Sequence, residues 1–170
     1  MFEAIKARKA LSQITPSLQA LDQQLTEVEQ IRDPIDRLVR FFDTVSQFND
    51  KQQEAPLSVG KVLEAFRKAG KHAETLEALE NLQAHFNNSG RAEFGMNRTK
   101  PGEPVTADKV YLGNIFGRWT FTASDWREFN AKDTPEARED KQIIEGQAAG
   151  FVASHAGPIH KLIKTLGSPG

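Results

Sequence analysis

The side chains of this chain best suited to chemistry are two histidines, His155 and His160, which bracket Ala156-Gly157-Pro158-Ile159. A glycine-proline step is expected to break a helix there. Two short helical ends turned toward each other could then let the imidazoles ligate a metal or share acid–base work. The spacing matches no metal-binding motif, however, and His155 falls on the apolar stripe of its own helix, so a packed, hydrogen-bonded core histidine is the better reading. His72 and His85 lie on a preceding helical segment and carry less chemical information.

A second constellation is electrostatic. Residues 1–88 hold 11 basic and 13 acidic side chains, residues 89–120 hold 5 and 3, and residues 121–170 hold 6 and 7, so the middle segment alone is positive. Its Arg91, Arg98, Lys100, Lys109 and Arg118 are interleaved with Phe94, Tyr111 and Trp119. Cations among aromatic rings can hold a phosphate, an acidic peptide or a single nucleic-acid strand. An excess of two charges is small, and an ordinary solvated loop is the better reading of it.

Other candidates are weaker. Glu128, Asp133, Glu136, Glu139 and Asp140 form the densest carboxylate group, but acidic residues at a helix start usually solvate the surface and complement the helix dipole. Two G-x-x-x-G stretches, Gly113 to Gly117 and Gly146 to Gly150, suit a turn and a close helix crossing. Asn87-Asn88-Ser89 and Asn97-Arg98-Thr99 match glycosylation acceptors, which matter only in a secretory pathway. Phosphate-cradling loops, zinc-protease motifs, dinucleotide fingerprints and the serine-hydrolase elbow are absent. With no cysteine in the chain, thiolate metal sites, disulfides and cysteine nucleophiles are excluded. No cofactor is expected.

The elements that must position these residues are helices. Ile14, Leu18, Leu21, Leu25 and Val28 recur in steps of four and three, and Ile35, Leu38, Phe42 and Val45 repeat the pattern after Asp33-Pro34. Each run makes one apolar stripe, so the pair reads as a helical hairpin. Thr15-Pro16, Asp33-Pro34 and Thr134-Pro135 each place a capping oxygen before a proline suited to the first helical position. They predict helices starting at Pro16, Pro34 and Pro135, preceded by a short leader helix over residues 2–13 carrying Lys6, Arg8 and Lys9. Such a basic amphipathic leader could also serve as a targeting or export signal.

Asn49 to Pro56 is expected to be a loop, Ser58 to cap a helix bearing Val59, Val62, Leu63 and Phe66, and Gly70 to end or bend it. A further helix over 71–86 carries Leu76, Leu79, Leu82 and Phe86. Residues 89–104 lose all periodicity and gather glycine and proline, which predicts a long loop suited to contact with something else. Beyond it, Ile115 to Thr122 alternates like a strand, and Lys109 to Leu112 is its expected partner across Gly113-Asn114. The helix from Pro135 is expected to stop at Gly157-Pro158, followed by a short one over 159–166.

The chain is therefore expected to be mainly α: a bundle of five to seven helices with a small β-hairpin or extended element near 109–122. Its expected parts are a helical region over 1–88, an irregular basic loop over 89–105 and a C-terminal part over 106–170 packed on the same core. At 38% hydrophobic and 26% charged it sits on the polar side of globular, and no apolar run is long enough for a membrane span.

A net charge of -1 supplies no global field for nucleic acid. These features favour a non-catalytic protein–protein interaction module, such as an adaptor, regulator or bacterial effector, working through a helical face or the central loop with another protein as partner. The alternative is an enzyme or binding domain for a small anionic, phosphate-bearing ligand at Arg91, Arg98, Lys100 and Arg118, with His155 or His160 as a polar accessory. The compartment stays open between cytoplasm and export without a secretory signal peptide.

Overall fold

A computed structural model describes residues 2–88, 95–96, 102–111, 122–124 and 134–167. Among these, five α-helices make up the architecture: α1 (Phe2–Glu29), α2 (Pro34–Glu54), α3 (Val59–Ala69), α4 (Ala73–Asn88) and α5 (Pro135–Gly167). Helix α1 packs on α2, α3 and α5; α5 also lies on α2 and α4; and α3 packs on α4. Their apolar faces join Val105, Val110 and Ala123 in one contiguous cluster.

Several boundaries follow from capping chemistry. Asp33 accepts the amides of Ile35 at 2.8 Å and Asp36 at 3.1 Å, with Pro34 in the first turn, where its missing N–H costs nothing. Ser58 accepts the amide of Lys61 at 3.3 Å to open α3. Gly70 closes that helix with φ of 63° and its amide on the Phe66 carbonyl at 3.1 Å; a left-handed residue here favours glycine.

Two proline steps expected as boundaries lie inside helices instead. Pro16 sits within α1 and Pro158 within α5. The hydroxyl of Thr15 donates backward to the Leu11 carbonyl at 2.8 Å rather than capping a new helix. Stripe continuity explains why the helix survives: Ala7, Leu11, Ile14, Leu18, Leu21, Leu25 and Val28 alternate steps of four and three across the proline, and all are buried or packed on the core. Burial along the whole stripe offsets the local cost of about 3 kcal/mol. In α5 the same argument holds, because Val152, Ala156, Ile159, Ile163 and Leu166 are buried on both sides of Pro158.

Residues 49–54, expected in a loop, extend α2. Their polar side chains are used: Gln52 accepts the Val59 amide at 2.7 Å and Asp50 the Gly102 amide at 2.6 Å. Helix α2 is covered on most of its circumference, with Phe41 to Ser46 buried in succession. Asp43, buried among them, accepts the Val105 amide at 3.1 Å and the Gln47 amide at 3.3 Å, and lies 3.6 Å from Arg40. Asp43 and Asp50, two turns apart on one face of α2, thus hold the segment 102–105 by its backbone donors.

The β-hairpin expected across Gly113-Asn114 is not found among the described residues, and residues 112–121 lie outside them. Val110–Tyr111 instead pairs antiparallel with Gly95–Met96 (Gly95 opposite Tyr111, Met96 opposite Val110). Val110 is fully buried, so its orientation is set by the core beneath it.

Candidate functional site

Because α5 is continuous, His155 and His160 do not face each other. Five residues at about 100° each rotate the second roughly 140° from the first, and the two rings meet different neighbours. That removes the expected joint histidine site.

His155 points toward α4. Its ring lies 4.6 Å from that of Phe151 and 6.4 Å from that of Phe41, measured between centroids, and its Nδ1 is 3.2 Å from Nδ1 of His85. Burial, and then the neighbouring His85, hold the His155 pKa below the usual histidine value, since a charged ring would lose water and meet a second imidazole. The pair lies in a cleft of about 440 Å³ between α4 and α5, with Ala84, Pro158 and Leu162 as apolar lining and Asn81, Lys161 and Thr165 as polar lining.

His160 points toward α1. Its Nδ1 contacts the Asp22 carboxylate and its Nε2 the Glu29 carboxylate, so one ring bridges two acids set two turns apart. Burial by itself would lower the His160 pKa, but the hydrogen bonds and charges of the two carboxylates outweigh it, and the net direction is upward. A shallow cleft of about 630 Å³ surrounds this clamp, with Gln19, Thr26 and Lys164 at its margin. The carboxylates approach opposite edges of the ring, an arrangement that orders a proton and two helices rather than a metal. Among the described residues no group of three or more His, Asp or Glu side chains is placed to hold a metal ion.

His72 caps the start of α4 with φ of 60°, and its Nδ1 lies 3.4 Å from the Arg8 guanidinium. Arg91, Arg98, Lys100 and Arg118, and with them the expected anion site, lie outside the described residues. Lys109, at the near edge of that segment, pairs with Glu103.

A different feature stands out on α1. Phe2 and Ile5 are 78% and 60% exposed, the two most exposed large apolar side chains among the described residues. Lys6 and Lys9, also exposed, follow them by four residues each, so all four share one face about 100° wide. Ala7 lies on the buried side.

No helix among the described residues is long and apolar enough to cross a membrane. Comparison with protein-family models, with curated proteins and with solved structures gives no match.

Proposed function

We propose that the chain is a non-catalytic interaction module that docks through the first two turns of α1 onto a protein carrying an apolar groove bordered by Asp and Glu. One observation carries this reading: Phe2 and Ile5 stand in solvent on the face that also holds Lys6 and Lys9. Exposed apolar side chains at helical spacing are the anchors of helix-in-groove recognition, and the flanking ammonium groups select an acidic rim. A membrane surface fits less well. From Ala7 onward the apolar stripe of α1 is buried in the bundle, so among the described residues of α1 the exposed large apolar side chains are Phe2 and Ile5, whereas interfacial helices present a long apolar face.

A photo-crosslinking side chain at position 2, introduced in the cells that make this protein, tests the reading. The captured partner, purified and titrated against the parent, should bind with an affinity that falls as salt rises, and Ile5→Asp or the Lys6→Glu, Lys9→Glu pair should abolish binding without changing the helical content. Crosslinks to lipid alone, binding of the parent to anionic vesicles in place of protein, or a partner indifferent to both variants would each overturn it.

A further inference from the structure

We infer that the α4/α5 cleft binds a divalent transition-metal ion through the Nδ1 atoms of His85 and His155. The distance between these atoms is 3.2 Å. An ion at about 2.0–2.1 Å from each imidazole nitrogen, in tetrahedral geometry, spans ligand pairs about 3.3–3.4 Å apart. The separation of the two nitrogens therefore needs to grow by only about 0.1–0.2 Å for both to reach one ion.

Three properties of the surroundings support ligation. His155 is held in place between Phe151 and His85, and burial favours its neutral form, the one that ligates. The rings stand 84° apart and are not stacked. The cleft is open enough to admit an ion with its waters, and Asn81 and Thr165 give those waters hydrogen-bond partners.

The donor set selects the ion. Two imidazoles with no thiolate, and no carboxylate among the cleft residues, suit Cu²⁺, Ni²⁺ or Zn²⁺ and disfavour Mg²⁺ and Ca²⁺. With only two protein ligands and Lys161 nearby, the ion is exchangeable rather than a structural centre. Because one ligand comes from α4 and the other from α5, binding ties the two helices together through residues 70 apart in sequence.

The chain has four histidines in all, which makes the test simple. Zn²⁺, Ni²⁺ and Cu²⁺ chlorides are titrated calorimetrically into the full chain near neutral pH, with Mg²⁺ as control. One equivalent should bind, raise the melting temperature and lose affinity on acidification, because protons compete with the ion for the ligands. Substituting groups that merely support a metal ligand already costs about 10–100-fold, so His85→Ala and His155→Ala should each weaken binding at least about tenfold, with His72→Ala and His160→Gln unchanged.

Imidazole ¹H–¹⁵N spectra of the unmutated protein give the same answer without relying on the variants folding. Zn²⁺ should move the His85 and His155 resonances and leave His72 and His160 in place. Absence of saturable binding below millimolar ion, full binding in both alanine variants, or shifts confined to His72 or His160 would overturn the assignment.

Discussion

Replacing His160 with glutamine should remove a pH-dependent clamp between α1 and α5. The ring can donate to Asp22 and to Glu29 at once only as imidazolium, because the neutral form has a single N–H and turns a lone pair toward the other carboxylate. The side chains are partly in water, 25% exposed for His160, 42% for Asp22 and 41% for Glu29, so each contact belongs with surface ion pairs worth about 0.2–1 kcal/mol. Two of them give about 0.4–2 kcal/mol.

The sign follows from linkage. A histidine whose pKa is raised on folding contributes its full stability below the unfolded value, about 6.5, and loses it as pH rises through the folded value. Urea unfolding followed by circular dichroism, from about pH 5.5 to about pH 9, should show parent and His160→Gln differing most at the acid end and converging at the alkaline end. Asp22→Asn combined with Glu29→Gln should abolish the same pH dependence. A difference that is constant with pH, or that grows on the alkaline side, would refute the clamp.

Asp43→Ala should destabilise by about 1–3 kcal/mol, because it leaves the buried Val105 amide without an acceptor, whereas Asp43→Asn, which keeps the side-chain oxygen, should cost less. Faster hydrogen exchange at Val105 in the alanine variant alone checks this, and unchanged exchange would remove the role given to Asp43. Pro16→Ala should stabilise by roughly 1–2 kcal/mol, since the restored helical N–H and the relief of ring strain, up to about 3 kcal/mol, outweigh about 0.4–1 kcal/mol of added unfolded-chain entropy. A lower denaturation midpoint for that variant would mean that the proline sets a bend the core requires.

The helical bundle was legible wherever an apolar stripe and its cap coincide, as at Asp33-Pro34 followed by Ile35, Leu38, Phe42 and Val45. Reading failed where local chemistry and stripe disagree. Thr15-Pro16 has the composition of a helix start, yet the four-and-three rhythm begun at Ala7 and Leu11 runs through it, and that rhythm is the signal that could have identified one long helix. Packing distributed over a whole helix outweighs one missing hydrogen bond, so periodicity across a proline carries more information than the proline. The ties from Asp43 and Asp50 to the segment 102–105 had no such signal, because they depend on which backbone donors the fold brings near α2. Phe2 and Ile5 were legible as residues of an amphipathic leader, whereas their exposure depends on where the neighbouring helices leave off.

The same continuity decides what the histidines do. With Pro158 inside α5, His155 meets His85 on α4 and His160 meets the acids of α1, so one helix is held on two sides by groups with opposite proton preferences. His155, lowered by burial and by His85, resists charging, so the unfolded chain takes up protons first and stability falls as pH drops below about 6.5. His160 acts in the other direction and loses its contribution as pH rises through its raised value. Both seams of α5 are satisfied together only in the interval near the ordinary histidine pKa. An ion between His85 and His155 would deepen the acid limb, because acid must then displace the ion as well as charge His155, and it would leave the alkaline limb at His160 untouched.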